Sequence, residues 1–226
     1  MWGDGLFRWI ENPVYRLLGV SPQQQMNWKQ YSLAFVVSCI FLAVAILAIF
    51  MTQAWLPLNP NHAPNMSWDL ALHTVISFLT NTNQQHYSGQ AQLSYLSQMT
   101  GIVGLQVITP MMGLALVVAT LRAFFYQRPS HIAADVAEQP DQILIGNYWA
   151  DVIRPTVRFL LPLCFVWSLL LNSQGVPATF QGGPEVQLID KANTVETQKI
   201  PLGPVAPMVA IKQLGSNGGG WYGPNS

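Results

Sequence analysis

The sequence predicts an all-α polytopic membrane protein, and three observations support that prediction. Charged residues make up only 9% of the 226 residues, whereas ordinary soluble domains carry about 25%. Three apolar runs are long enough for membrane-crossing helices, which need about 20 residues each. Two shorter apolar runs lead directly into amide-rich or glycine-rich residues. Irregular polar backbone is tolerated at membrane depth only where it lines a water-filled path or lies buried in protein, so these short runs suggest an ion pathway.

The amino-terminal part contains an amphipathic segment and then the first span. Residues 1–30 mix basic and aromatic side chains and are interpreted as a cytoplasmic segment on the membrane surface. The first span is predicted over Tyr31–Gln53, which carries no formal charge. Trp28 and Trp55 lie just beyond its two ends, where aromatic side chains mark membrane interfaces.

The next apolar run is too short to cross a bilayer. Ser67–Phe78 predicts a helix of about 18 Å, with Ser67 as its cap and Asp69 in a first turn that favours negative charge. A helix of this length must turn back, so it is predicted to be re-entrant. The loop that follows begins with Thr80-Asn81-Thr82-Asn83-Gln84-Gln85.

Two further spans and a second short helix complete the chain. The second span is predicted over Met99–Tyr126, where three glycines favour close helix approach. The third is predicted over Pro155–Ser173, with a kink at Pro162. The second short helix is predicted over Val205–Leu214 and leads into Gly215-Ser216-Asn217-Gly218-Gly219-Gly220.

These elements form a repeat of span, re-entrant helix, filter-like loop and span, of which the chain holds about one and a half copies. Internal repetition is common in transporter folds. The predicted parts are the amphipathic segment 1–30, the first repeat 31–126, a cytoplasmic loop 127–154, and the first half of the second repeat, 155–226.

The distribution of basic residues predicts the orientation. Seven of the ten Lys and Arg residues lie on one side of the predicted spans: Arg8, Arg16, Lys29, Arg122, Arg128, Arg154 and Arg158. Because cytoplasmic loops carry the basic excess, the amino terminus is predicted to be cytoplasmic and both short helices to enter from the outer face. The acidic residues Asp135, Glu138, Asp141 and Asp151 are then expected to be solvated on the cytoplasmic side.

The two loops have the chemistry of a monovalent cation filter. Carbonyl and amide oxygens can replace a hydration shell without holding the ion too strongly to leave, and neither loop contains an acidic residue. The alternative is that each Asn/Gly cluster is an ordinary turn. His73 is interpreted as a packing residue and His86 as an exposed residue at the outer mouth. Lys212 is expected to point to the outer mouth or to a protein partner, with an intramembrane role as the alternative.

Other classes of function have little support. The net charge is zero, which argues against nucleic-acid binding because such proteins carry a basic excess. There is no GxxxxGK[ST] motif, so ATP hydrolysis would require a second polypeptide. No cofactor is predicted other than the transported ion.

Many short segments of the sequence together match the pattern of one known family. They are Gly19-Val20, Met26-Asn27-Trp28-Lys29-Gln30-Tyr31, Leu56-Pro57-Leu58-Asn59-Pro60, Ser67-Trp68-Asp69-Leu70-Ala71-Leu72, the loop from Thr80 to Gly89, Leu93-Ser94-Tyr95, Ser97-Gln98-Met99, Arg122-Ala123-Phe124, Gly203-Pro204-Val205-Ala206, and Ala210-Ile211-Lys212 before Gly218-Gly219-Gly220. With these segments the sequence resembles the potassium-translocating A subunit of the Kdp-type ATPase, a bacterial inner-membrane pump.

The resemblance implies a potassium-channel-like subunit in which four pore loops surround one filter. It implies potassium as the substrate, with a P-type ATPase subunit, small accessory subunits and membrane lipids as partners. The family's ion-binding positions correspond here to Asn81, Thr82, Asn83, Gln85, Ser216, Asn217, Gly218, Gly219 and Gly220.

The chain also departs from the family pattern. Gln84 stands where the family usually has Trp, Ser216 where it has Thr, and Trp221-Tyr222 where it often has Phe-Phe. The resemblance covers the amino-terminal part of the family's subunit and implies truncation at both ends. The alternative function is therefore a non-conducting fragment, from an interrupted gene, that only docks to partner subunits.

Overall fold

The computed structural model describes residues 4–125, 143–189 and 197–221. Most of the predicted cytoplasmic loop falls outside these ranges. The sequence-predicted features that lie outside them are Arg128, Asp135, Glu138, Asp141 and Tyr222.

The described residues are predominantly helical. In chain order the helices are α1 (Asp4–Leu18), α2 (Trp28–Thr52), α3 (Trp68–Leu79), α4 (Gly89–Gln92), α5 (Tyr95–Ser97), α6 (Gly104–Phe124), α7 (Tyr148–Pro155), α8 (Leu161–Ser173) and α9 (Val205–Leu214). The strands form two antiparallel pairs, β1 (Met26–Asn27) with β2 (Leu144–Gly146) and β3 (Glu185–Gln187) with β4 (Thr197–Lys199).

Among the described residues, three helical stretches are long and apolar enough to cross a membrane. They are Trp28–Trp55, Tyr95–Phe124 and Tyr148–Ser173, which confirms the prediction of an all-α membrane protein with three spans. The first adds a 3-10 turn, Gln53–Trp55, to α2. In the second, the π-helical segment Gln98–Val103 joins α5 to α6.

The third span begins earlier than predicted. It starts at Tyr148 rather than Pro155, because Asn147 caps it: the Asn147 side-chain oxygen accepts a hydrogen bond from the Ala150 N–H at 3.0 Å. A π-helical segment, Thr156–Leu160, joins α7 to α8 just before Pro162. A widened turn suits this place, since Pro162 has no N–H to donate to the preceding turn.

The chain forms two compact units, and the first comprises Met1–Phe41 with Ile108–Leu161. In this unit Tyr15 on α1 packs against Ile153 and Val157 of the third span. Glu11 on α1 is 2% exposed. Its carboxylate accepts two hydrogen bonds from the Arg158 guanidinium, at 2.5 and 2.9 Å, so an ion pair with good geometry compensates the buried charge.

Asp151 lies at the centre of a polar network in the first unit. Its carboxylate accepts hydrogen bonds from two Arg122 nitrogens, at 2.6 and 3.0 Å, and from the Tyr31 hydroxyl at 3.1 Å. Its side chain is only 14% exposed. The expectation that Asp151 is solvated is therefore wrong: its three bonds tie residues from all three spans together.

Asp151→Asn should reveal how much this network stabilises the protein. Because Arg122 is 42% exposed, water compensates part of the lost pairing, and we expect a loss of about 1–2 kcal/mol. Thermal unfolding of the purified protein in detergent measures the change. Glu185→Gln is the matched control, since it makes the same chemical change at an exposed residue. Equal unfolding midpoints for the two variants would contradict the role given to Asp151.

The second unit comprises Leu42–Val107 with Pro162–Ser226. Its main core brings Ile46 and Phe50 of α2 against Phe78 of α3 and Ile102 of the second span. Gly101 makes this packing possible, because a Cβ atom there would lie 2.5 Å from the Phe50 ring. The predicted close approach is thus confirmed at Gly101.

Gln53 joins the loops of the second unit. It is 0% exposed and its side chain makes three hydrogen bonds to backbone. The amide nitrogen donates to the Pro64 and Gln92 carbonyls, and the amide oxygen accepts from the Ser94 N–H at 3.0 Å. One residue therefore connects the segment before α3 to the segment before the second span.

A second cluster in this unit holds Trp221, which is 1% exposed. It packs with Tyr95 and with Val205 and Met208 of α9. Its ring occupies the space that a side chain at Gly203 would need. The residue that closes the second loop is therefore fixed in a core.

Candidate functional site

The two short helices have the lengths that the sequence predicts. α3 contains 12 residues and α9 contains 10, so they extend about 18 and 15 Å. Ser67 is the cap residue of α3, but its side chain makes no capping hydrogen bond to the helix backbone. Instead it hydrogen-bonds Asp69, and that bond is the main cause that lowers the pKa of the Asp69 carboxyl.

The first loop, residues 80–87, folds back onto the end of α3. The N–H groups of Thr82 and Asn83 both donate to the Ser77 carbonyl, at 2.9 and 3.1 Å. The Ser77 hydroxyl donates to the Gln84 carbonyl at 3.0 Å. Asn81 and Asn83 have φ values of 61° and 56°, in the left-handed region that Asn adopts more readily than most residues. The amide-rich sequence therefore suits a tight, irregular loop.

The second loop, residues 215–221, folds back onto α9 in a similar way. The Gly218 N–H donates to the Lys212 carbonyl at 2.8 Å, and the Gln213 side-chain amide donates to the Gly219 carbonyl at 2.9 Å. Ser216 and Gly218 have left-handed φ values, and Gly219 has φ 105°. The Gly219 value lies outside the left-handed well of residues with a Cβ atom, so glycine is required there.

Both loops line a single cavity of about 420 Å³. It lies wholly within the second unit. Eight of the nine predicted ion-binding residues line it, together with Phe78 and Gln106; the eight are Asn81, Thr82, Asn83, Gln85, Ser216, Asn217, Gly218 and Gly219. None of the lining residues carries a formal charge. Gly218 and Gly219 have no side chains, so they contribute backbone atoms alone.

Three of the residues that line this cavity have an unpaired amide atom, and so does Gln98, which lies outside the cavity lining. Asn83 Oδ1, Gln106 Oε1 and Asn217 Nδ2 are buried and have no hydrogen-bond partner among the described residues. Buried polar atoms are nearly always paired. Two of these three atoms are acceptor oxygens, which suit a cation better than an anion. The cavity thus has the chemistry of a site for a ligand that the chain itself does not supply.

Gly220 is placed differently from the other eight predicted residues. It is not among the residues that line the cavity, and its carbonyl accepts a hydrogen bond from Lys212 Nζ at 2.8 Å. Lys212 is itself 1% exposed. The expectation that this side chain points to the outer mouth or to a partner is therefore wrong: it points to the backbone of the second loop.

Gln106 is a lining residue that the sequence reasoning missed. It lies in α6 and is 3% exposed. A Cβ atom at Gly215 would collide with the Gln106 carbonyl, so the end of α9 rests directly on the backbone of the second span. The signal that could have revealed Gln106 is a lone amide inside a long apolar run.

His73 of α3 contacts His86 of the first loop. The rings of His73 and His86 meet edge to face, with centroids 4.5 Å apart. Among the described residues there is no group of three or more His, Cys, Asp or Glu side chains that could hold a metal ion. The His73–His86 contact is therefore a packing contact between two rings.

Comparisons with known proteins show which family this chain resembles. A family model described as "Potassium-transporting ATPase A subunit" matches residues 1–226. Two curated relatives are each named "Potassium-transporting ATPase potassium-binding subunit". The relative from Pseudomonas putida is 42% identical over 217 residues, which cover 96% of this chain and 36% of the relative. The relative from Gloeobacter violaceus is 42% identical over 233 residues, which cover 100% of this chain and 38% of the relative. This chain therefore spans a little over a third of the length of the curated relatives it matches.

Proposed function

Because the chain belongs to the potassium-transporting ATPase A subunit family, we propose that it binds potassium and passes it inward from the outer face. In this proposal it is the potassium-binding and translocating subunit of a P-type uptake pump. The observation that carries the proposal is the cavity that both loops line, with eight predicted ion-binding residues around it.

The lining chemistry supports a monovalent cation. Potassium is held well by several neutral oxygens and leaves such a site readily, whereas carboxylates would favour divalent ions. The cavity offers hydroxyl, amide and backbone groups and no carboxylate. Unpaired amide oxygens of Asn83 and Gln106 are suitable ligands, and the backbone around Gly218 and Gly219 supplies more.

The ends of the short helices add to this preference. Each loop begins where α3 or α9 ends, at Thr80 or Gly215. The carboxyl end of a helix carries a partial negative charge. Two such helix ends next to the loops favour a cation in the cavity. In this proposal both helices are re-entrant and enter the membrane from the outer face.

In this proposal the chain does not act alone. It provides two pore loops, whereas the family resemblance implies that four pore loops surround one filter. We therefore propose that further pore loops complete the site. A P-type ATPase subunit, together with small accessory subunits, supplies the energy for transport. The assembly lies in a bacterial inner membrane, and the amino terminus of this chain is cytoplasmic.

The alternative is a fragment that docks to partner subunits without conducting ions. Two observations distinguish the possibilities. A continuous downstream reading frame that encodes two more pore loops supports the transporter. Growth of an uptake-deficient bacterium at low potassium, when it carries this reading frame and the neighbouring genes, also supports the transporter.

Gly219→Ala tests the proposed site. Its φ of 105° is strained for alanine, and the strain distorts the backbone that lines the cavity. We expect the KM for potassium to rise by about tenfold or more, which corresponds to about 1.4 kcal/mol. Potassium-dependent uptake by cells that express the complete pump measures this change.

Gly175→Ala is the matched control for that experiment. Gly175 also has a positive φ, 89°, and no neighbouring atom within 4 Å of its Cβ position among the described residues. It does not line the cavity. We expect its KM to stay within about twofold of the parent. A normal KM in Gly219→Ala would overturn the proposed ion site.

A further inference from the structure

Lys212 is a buried cation directly behind the second loop. It lies on α9, it is 1% exposed, and its ammonium nitrogen donates to the Gly220 carbonyl at 2.8 Å. Within residues 4–125, 143–189 and 197–221, no carboxylate forms an ion pair with it. Burial of an unpaired ammonium is costly. A positive charge in this position is therefore expected to serve a function.

Three consecutive glycines of the second loop are held by two consecutive residues of α9. The Gly218 N–H donates to the Lys212 carbonyl, the Gln213 amide donates to the Gly219 carbonyl, and the Lys212 ammonium donates to the Gly220 carbonyl. Glycine backbone is the most flexible of all. These bonds therefore restrict the part of the loop that has the greatest freedom.

The bond to Gly220 also changes what that carbonyl can do. An ammonium that already binds the oxygen competes with any other cation for it and repels that cation. Gly218 and Gly219 line the cavity and Gly220 does not. Gly220 is therefore the point at which the loop is anchored, and the ion-binding part of the loop ends at Gly219.

From this geometry we propose that Lys212 is a positioning residue for the potassium site that also selects against divalent cations. It holds the Gly218–Gly220 backbone in its binding conformation. Its charge repels a divalent cation in the cavity about twice as strongly as a monovalent one, because Coulomb energy scales with the ion's charge. This proposal rests on the proposed function, since it requires that the cation bind in the cavity.

Two variants separate the hydrogen bond from the charge. Lys212→Met keeps an unbranched apolar chain but removes both donor and charge, whereas Lys212→Gln keeps a donor and removes the charge. Lys199→Met is the control, because Lys199 is exposed on β4 and does not line the cavity. All are made in the complete pump, and potassium uptake is measured with and without Ba²⁺, a divalent ion close in size to potassium.

We expect Lys212→Met to raise the KM for potassium about tenfold while kcat stays within about twofold, and Lys212→Gln to recover most of that KM. Both neutral variants should be inhibited at several-fold lower Ba²⁺ concentrations than the parent and Lys199→Met. A parental KM in Lys212→Met overturns the positioning role, and parental Ba²⁺ sensitivity in Lys212→Gln overturns the selection role. Failure of both variants to assemble would also overturn the proposal, because Lys212→Gln keeps a hydrogen-bond donor and loses only the charge that the proposal assigns to ion selection.

The result is distinguishable from failure of the proposed function. If Gly219→Ala leaves the KM for potassium unchanged, the cavity itself is not the ion site. If Gly219→Ala raises the KM but both Lys212 variants behave like the parent, the site stands and only the role of Lys212 is wrong.

Discussion

Gln53→Leu is expected to destabilise the protein by about 3 kcal/mol or more, because each buried polar group left unpaired costs about 1–3 kcal/mol. The substitution leaves the Pro64 carbonyl, the Gln92 carbonyl and the Ser94 N–H without the partner they have in the native structure. Leu is close to Gln in size but offers none of these bonds. The amount of assembled protein in the membrane and its thermal midpoint in detergent measure the loss.

Gln25→Leu is the matched control, since it makes the same chemical change at an exposed side chain. Surface substitutions of this kind usually change stability by about 0.5 kcal/mol or less. If Gln53→Leu and Gln25→Leu unfold at the same temperature, the three bonds of Gln53 do not hold the loops together.

Gly101→Ala should produce the second largest loss, about 2 kcal/mol. The added methyl group would lie 2.5 Å from the Phe50 ring and 3.1 Å from Ile46. Both neighbours are rigid core side chains, so α2 and the second span would have to separate. Thermal unfolding of the detergent-purified protein measures the cost.

Gly113→Ala provides a control with the opposite expected sign. Gly113 lies further along the same span and no described atom comes within 4 Å of its Cβ position. Alanine favours a helix over glycine by up to about 1 kcal/mol, so stability should rise or stay the same. If the unfolding temperature shifts by the same amount and in the same direction in both variants, then intrinsic helix propensity, rather than contact with Phe50, determines the effect of the substitution at Gly101.

Local features of the sequence were sufficient to predict most of the architecture. Uninterrupted apolar length identifies the three spans, and insufficient apolar length identifies α3 and α9, the latter with the bounds Val205–Leu214. Amide and glycine content identifies the two loops. These signals depend on residues next to one another in the chain, so a single sequence contains them in full.

Features that depend on distant partners were not predictable in this way. Gln106 contributes to the cavity because Gly215 allows α9 to rest on it, and the two residues are far apart in sequence. Asp151 is buried by its bonds to Arg122 and Tyr31 rather than by its own neighbours. The direction of Lys212 depends on how the second loop folds back. Charge and polarity alone suggested solvent for Asp151 and Lys212, and tertiary structure decided otherwise.

The absence of a side chain at Gly215 has a practical consequence for protein engineering. Since the end of α9 sits on the Gln106 carbonyl, the second loop takes its position from a helix that the sequence predicts to belong to the preceding repeat. A chimera that transplants only α9 and its loop into another scaffold would lose the contact with the Gln106 backbone. Swaps should therefore exchange the loop and the middle of the second span as one cassette.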